Sequence, residues 1–411
     1  MQRPFLAAIP LLALATAAAT PSLFAADWPH WRGPNYNGIS DETAWKATWP
    51  AEGPKLLWKA ATGTGFSSIT VANGKAYTMG NFKSPDDTEE DVVFCFNAET
   101  GAEIWKFKYE CPLAPQHYEG GTLATPTIDG NAVYTISKKG HVFCFSADKG
   151  EVLWKTNIVD DLKIQPPTWG FSGSGYIHKD LVIFNVGAAG IAFNKKTGAV
   201  VWKSDNKASG YSTAVPFTVD GKSGIALMTM QEIQAINPEN GAILWSYPWK
   251  TSWEINAADP IFSGSKVFFS SGYNHGATVL EIKDGKLTPV WENKQMRNHF
   301  NSCVLVDGYL YGIDGEAGDK ATLKCIEFAT GTVKWTQQGV GSGSVTVAGK
   351  KLIILSNTGL LMTADVTPDA FKLNSKAQVL SGKCWTVVTL ANGRLYCRNN
   401  KDGNLLCFDV K

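Results

Sequence analysis

Cys95-Phe-Asn-Ala-Glu-Thr-Gly-Ala-Glu-Ile-Trp105 is followed by Cys144-Phe-Ser-Ala-Asp-Lys-Gly-Glu-Val-Leu-Trp154, the same phrase with its small first residue, its Gly and its closing Trp in place. It returns as Ala192-Phe-Asn-Lys-Lys-Thr-Gly-Ala-Val-Val-Trp202, as Ala235-Ile-Asn-Pro-Glu-Asn-Gly-Ala-Ile-Leu-Trp245 and as Cys325-Ile-Glu-Phe-Ala-Thr-Gly-Thr-Val-Lys-Trp335. A worn copy reads from Glu281 to Trp291. Successive Trp residues stand 49, 48, 43, 46 and 44 positions apart, a period that belongs to propellers and solenoids. Each phrase reads as strand, tight turn, strand. The Gly supplies the positive φ of the turn, and the Asn, Asp or Ser before it can hydrogen-bond the turn backbone.

Four strand-like runs per unit select the propeller. In the second unit the runs are Thr125–Ile128, Ala132–Ser137, His141–Ser146 and Val152–Thr156, separated by turns at Asp129-Gly130-Asn131 and Lys139-Gly140. Short alternating strands with Gly turns at this spacing describe one antiparallel blade. Seven such units run from Ser67 to Leu380, the seventh with Leu373 where the Trp would stand. An eighth begins near Trp385 and stops at Lys411 without its outer strand. Lys55-Leu-Leu-Trp58-Lys supplies the missing strand from the other end of the chain. The sequence therefore predicts an all-β fold: an eight-bladed propeller over residues 54–411, closed by strands from both termini so that no free edge remains.

The Ala-x-Asp-x-x-Thr-Gly-x-x-x-Trp form of the phrase resembles the pyrroloquinoline-quinone-like (PQQ-like) propeller repeat, a WD40-like repeat. Asp27-Trp-Pro-His-Trp-Arg-Gly-Pro-Asn-Tyr-Asn-Gly-Ile-Ser40 is similar to the opening of secreted members of that family. The resemblance covers nearly the whole chain after the leader and implies the fold. It implies either of two functions, since the repeat builds both quinone-dependent dehydrogenases and non-enzymatic propellers such as the outer-membrane assembly factor. Fold alone does not choose between them.

Residues 1–26 read as a cleavable secretory signal: Arg3, then an apolar Ala-rich run, then small residues before Asp27. No Cys lies near the cleavage region, the first being Cys95, so no lipid anchor is expected. The expected location is secreted or periplasmic. Without the leader, 37 basic residues face 37 acidic ones, which offers no basic stripe for a phosphate backbone and disfavours nucleic acid. No other run approaches membrane-spanning length. Residues 27–53, with Trp28, Trp31, Trp45 and Trp49, are expected to form an arm packed across a monomeric propeller. Cys95, Cys144, Cys325 and Cys407 fill the small-residue position of the phrase and read as buried hydrophobes. Cys397 and Cys407 are the one pair whose strands would place them for a disulfide. The acidic stretch Asp86–Asp91 is expected to decorate a long loop of the first blade.

No familiar catalytic or metal-binding spacing is present: no Cys-x-x-Cys, no His-x-x-x-His, and no strand–turn–helix around the Gly-Ser runs. No catalytic residue and no metal ligand is assigned. The repeated Trp58, Trp105, Trp154, Trp202, Trp245, Trp291 and Trp335 are read as blade packing, each burying ~150–250 Å². The informative residues lie in the lead-in to each first strand, where repeat logic would make structural residues alike. There the units diverge and carry His117, Tyr118, Glu119, Trp169, Tyr211, Trp253, Glu254, Asn256, Arg297 and His299. Flat rings for stacking with a few polar groups for orientation are the composition of a ligand or peptide site.

Two functions follow. The first is an extracytoplasmic, non-enzymatic propeller without cofactor that engages a protein, peptide or cell-envelope partner through this face. The alternative, implied by the family resemblance, is an alcohol or sugar dehydrogenase using pyrroloquinoline quinone and calcium. In that case Glu119 or Glu254 with Asn256 would hold the metal, Asp259 would be the base and Arg297 would polarise the quinone. Family dehydrogenases carry an adjacent Cys-Cys pair beside the cofactor, and this sequence has none.

Overall fold

A computed structural model describes residues 26–318 and 320–411; the leader assigned from sequence lies outside them, apart from Ala26. Eight antiparallel sheets are arranged in sequence order. Blade 1 consists of Thr70–Ala72, Lys75–Lys83, Glu89–Asn97 and Glu103–Glu110. Blade 2 consists of Thr127–Asp129, Ala132–Ile136, His141–Ser146 and Val152–Asn157, within two residues of the runs read from sequence. In blade 8, Lys55–Ala61 pairs antiparallel with Asn404–Asp409, so the first blade strand and the last strand of the chain are neighbours. No α-helix occurs among the described residues, only a 3-10 turn at Ser252–Glu254.

The recurring phrase is a device for joining blades. In register, Cys95 pairs with Trp105, Cys144 with Trp154, Ala192 with Trp202, Ala235 with Trp245, Cys325 with Trp335 and Cys407 with Trp58. Five of these six indoles, all but Trp245, then donate to a carbonyl in the next blade's turn, Trp335 to Thr367 O among them. Trp58 Nε1 donates to Ala98 O, Trp105 to Ala147 O, Trp154 to Lys195 O and Trp202 to Pro238 O. A Cβ added at Gly101 would sit 2.6 Å from the Trp58 ring, and one at Gly150 equally close to Trp105. The Gly of the phrase is thus required twice over, for its φ of 73° at Gly101 and for the indole lying against it.

Three expectations are corrected. The worn copy pairs Val279, not Glu281, with Trp291, because its hairpin closes on the two-residue turn Asp284-Gly285. Both turn residues have positive φ, as a tight primed turn needs. Cys397 pairs with Leu406 while Cys407 pairs with Tyr396, so the two thiols leave opposite faces of the sheet and enter different cores. All eight Cys are free and buried. Asp86–Asp91 is only partly loop: Glu89–Asp91 continue the third strand of blade 1, and Asp91 is buried against Asn81 Nδ2 at 2.8 Å.

The arm bridges the blades one after another. Trp28 exchanges backbone hydrogen bonds with Val71 of blade 1, and Ile128 N of blade 2 donates to Pro29 O. Tyr36 packs on Tyr176 of blade 3. Arg32, fully buried, donates to Cys303 O ahead of blade 6. Ile39–Ser40 adds a parallel strand to Ser344–Ala348 of blade 7, and Gly393 N of blade 8 donates to Glu42 Oε2 at 2.8 Å.

Candidate functional site

The lead-in loops converge on one cavity, and a chain of hydrogen bonds holds them. Ser68 N donates to Thr125 Oγ1, Thr125 N to Ser174 Oγ and Ser174 N to Thr213 Oγ1, each at 3.0 Å. Thr213 N donates to Asp259 Oδ1 and Asp259 N to Ser302 Oγ, both at 2.8 Å. One position per blade, just before the first strand, therefore links blades 1 to 6 in succession. It is a hydroxyl in every linked blade except at Asp259. The carboxylate does the hydroxyl's work with Oδ1 and has Oδ2 to spare, which accepts from Trp31 Nε1 of the arm at 2.7 Å. Arg32 NH1 stands 3.8 Å from the same oxygen.

Above this girdle lies a collar of rings. Trp169 meets Tyr118 (centroids 5.9 Å), Tyr118 meets Phe66 (5.3 Å), and Phe66 meets Trp385 (5.7 Å). Trp385 meets Phe300 (4.7 Å), Phe300 meets His299 (5.2 Å), and His299 meets Tyr273 (4.9 Å). Tilted and edge-on contacts of this kind are the favoured aromatic geometry. The collar surrounds a cavity of about 360 Å³ whose wall also includes Trp31, Asp259, Ser174, Thr213 and Asn301. The arm thus contributes a ring to a cavity otherwise built from the blades.

The cavity gathers His117, Tyr118, Trp169, Tyr211 and His299 from the sequence-derived set. The other five stand outside it. Glu119 pairs with Lys383 at 2.8 Å. Trp253 is 76% exposed with φ 65°, and Glu254 accepts from Gln231 Nε2 at 2.9 Å. Asn256 is a buried strut: its Nδ2 donates to Thr229 O, Met230 O and Trp249 O, and its Oδ1 accepts from Ser271 Oγ. Arg297 lies in a separate polar cleft, forked onto Asp314 at 2.8 and 2.9 Å with Lys324 on the same carboxylate. Sequence reading missed Phe66, Tyr273, Phe300, Trp385 and Trp31. Phe66, Phe300 and Trp385 precede first strands and were open to the same comparison; Trp31 belongs to the arm and carried no repeat signal.

Burial sets the charge states around the cavity. It pushes Tyr118 and Tyr211 up to about 12 and His299 below its ordinary value. It also raises Asp259, against the pull of Arg32, the Trp31 indole and the Thr213 amide.

Comparison with known proteins agrees with this architecture. The family described as outer membrane protein assembly factor BamB matches residues 40–155 and 89–337. The chain belongs to the PQQ-like β-propeller family. BamB from Moraxella catarrhalis superposes on this PQQ-like propeller with a TM-score of 0.62 at 12% identity, covering 87% of this chain and 100% of that one. A europium-containing methanol dehydrogenase superposes with 0.64 at 13% identity, covering 93% and 89%. At such identities the shared property is the fold. The quinoprotein alcohol dehydrogenase PedH of Pseudomonas putida is 43% identical over 82 residues, which is 18% of this chain and 14% of that protein's length.

The residues of this PQQ-like propeller do not assemble into the calcium–quinone site named from sequence. Asn256 Oδ1, the atom a metal would need, already accepts from Ser271 Oγ, Glu119 and Glu254 are engaged outside the cavity, and Arg297 serves Asp314. Among the described residues no group of three or more His, Cys, Asp or Glu side chains is placed to hold a metal ion. The cavity offers ring faces and a hydrogen-bonded carboxylate.

Proposed function

We propose that this chain is an extracytoplasmic, non-enzymatic binding propeller that works as a monomer and engages a protein, peptide or cell-envelope ligand through the collared cavity. The observation that carries the reading is the collar itself: Trp169, Tyr118, Phe66, Trp385, Phe300, His299 and Tyr273 come from six blades and enclose one apolar cavity. Structural rings repeat with the blades, as the Trp of the phrase do. The collar rings repeat only in part: Phe66, Phe300 and Trp385 each stand four residues ahead of a first strand, where blades 2, 3 and 5 have Leu123, Ser172 and Ala257, and all seven meet at a concave mouth, where ligands bind.

A second reading, the quinone-dependent dehydrogenase, draws support from the 82-residue match to PedH. Against it stands the dispersal of Asn256, Glu254 and Arg297. One experiment separates the two. Protein without its leader is melted with pyrroloquinoline quinone plus calcium and assayed for dye-linked alcohol oxidation, and is separately used to capture cell-envelope components. A ligand at a hundred times its Kd would add about 2.7 kcal/mol to the native state. The binding reading expects no quinone-dependent rise in Tm and no oxidation, with envelope capture lost in folded Trp169→Ala. A quinone-dependent rise accompanied by alcohol oxidation would overturn it.

A further inference from the structure

The chemistry of the cavity wall restricts what fits it, given the binding reading above. Cations are poorly served: Lys383 Nζ already lies 4.2 Å over the Trp385 ring and Lys138 Nζ 5.2 Å over Tyr118, so two of the π faces are occupied by positive charge. The carboxylate in the wall, Asp259, is committed to Thr213, Trp31 and Arg32. Anions meet that same carboxylate, and Lys383 is already paired with Glu119. A sugar ring needs many free donors and acceptors, and it would have to share the wall with polar groups that already serve the protein. Ser172 Oγ donates to Tyr211 O, Tyr118 Oη donates to Trp169 O, and Tyr273 Oη is bonded to His299.

Besides the ring nitrogens of His117, Trp169 and Trp385 and the Tyr211 hydroxyl, three polar atoms at the girdle end of the wall keep capacity. Ser174 Oγ and Thr213 Oγ1 each accept a backbone N–H, and among the described residues neither hydroxyl proton has a protein acceptor. Asn301 uses its amide NH₂ on Gly343 O, and its Oδ1 has no donor among the described residues. A cavity of about 360 Å³ walled by rings therefore ends in two donors and one acceptor. That pattern suits a flat, uncharged ring bearing one hydroxyl, which both accepts and donates.

We propose that the cavity takes the phenol ring of a tyrosine side chain from a partner polypeptide, seated against Trp31 of the arm, and that Asp259 is the positioning residue that holds Trp31 there. The departure of Asp259 from the hydroxyl girdle has this use: Oδ1 keeps the blades joined while Oδ2 fixes the indole.

The test uses protein without its leader and saturation-transfer NMR, which detects weak ligands. The probes are N-acetyl-tyrosinamide, N-acetyl-phenylalaninamide, tetramethylammonium and methyl β-glucopyranoside. Tyrosinamide should bind, with phenylalaninamide weaker by about two- to tenfold for the lost hydroxyl bonds. The cation and the sugar should not compete. Trp31→Phe should weaken tyrosinamide by about three- to tenfold with little change in Tm. Asp259→Asn keeps an oxygen toward Thr213 but sets an NH₂ against the indole N–H. It should weaken tyrosinamide similarly, with no further loss when combined with Trp31→Phe, a coupling that a merely structural residue would not show. Should Asp259→Asn fail to fold, Trp31→Phe decides alone. Binding that depends on Trp169 but ignores Trp31→Phe, or that favours the cation or the sugar, overturns this inference and leaves the binding reading standing. Failure of every probe to bind in a Trp169-dependent way removes the cavity from the binding reading as well.

Discussion

His30 shows how one buried ring couples the arm to pH. It stacks on Tyr36 at 4.8 Å and burial lowers its pKa to about 4, only partly opposed by Asp129. An imidazole whose folded pKa is depressed contributes stability above its unfolded value near 6.5, and that stability is lost as pH falls toward 4. Burial also lowers His141, His178, His275 and His299. Asp91 works in the opposite sense: burial raises it to about 6, so its contribution is greatest in acid and is lost as pH rises through that value. Burial raises Glu42 and Asp259 in the same sense as Asp91; the five lowered histidines outnumber these three carboxylates, and Tm is expected to fall between pH 6.5 and 4. His30→Phe keeps the stacking and should flatten the fall; superimposable profiles would show that His30 is not held neutral. Trp253 is a second residue to test. A bulky residue at φ 65° costs on the order of 1–2 kcal/mol, so Trp253→Gly should raise stability by up to about 1 kcal/mol once glycine's own entropy is counted. If capture of the partner survives that change, this exposed indole has no place in the footprint. The sequence named Trp253 because it diverges between repeats; it could not tell an indole pointing into a cavity from one pointing away.

At the scale of elements, the hairpin phrase and the seam strand carry the architecture. The register that sets a small residue opposite each Trp could be read from sequence wherever Gly keeps its place. It failed in blade 5, where a two-residue turn shifts the pairing so that Val279 faces Trp291. The seam was legible too, because Lys55-Leu-Leu-Trp58-Lys reads as an outer strand ahead of the first unit and the last unit lacks its outer strand with the phrase Trp. What could not be read is Arg398, buried at the same seam. From blade 8 it donates to Gly63 O and Ser67 O ahead of blade 1 and to Met79 O within it, with no carboxylate partner among the described residues. Deleting Pro54–Lys59 removes most of the outer strand Lys55–Ala61 and bares the edge of Asn404–Asp409. The variant should oligomerise or lose cooperative melting, since an unpaired edge is a template for another chain. Light scattering beside a melting curve checks it, and a monomer with wild-type Tm would show that the ring closes without this strand.

For the whole molecule, the arm ties the blades into one body. Residues 28–42 bond or pack to blades 1, 2, 3, 6, 7 and 8 and reach Asp259 ahead of blade 5. A chain beginning at Thr43 should lose more than about 3 kcal/mol, the usual cost of removing one buried aromatic such as Trp28. It should also bind tyrosinamide poorly, since Trp31 is gone. Chemical denaturation and the NMR assay above read both effects; unchanged stability would mean that the arm only lies on the ring.

The sequence by itself determined the blade count, the order of strands, the seam and the scaffold role of the Trp residues. Each of these is repeated or missing at a fixed period, and a period is a one-dimensional property. It also placed the variable face, because divergence between copies is legible in one dimension. Only the tertiary structure decided which variable residues meet. Tyr118 and Trp169 share a cavity while Asn256 and Arg297, equally divergent, turn to backbone carbonyls and to Asp314. Side-chain direction at the end of a loop depends on which buried polar groups need partners, and those partners lie a blade or more away. The arm's part in the cavity was hidden for the same reason: Trp31 and Asp259 are 228 residues apart and meet because the ring brings every lead-in loop to one axis.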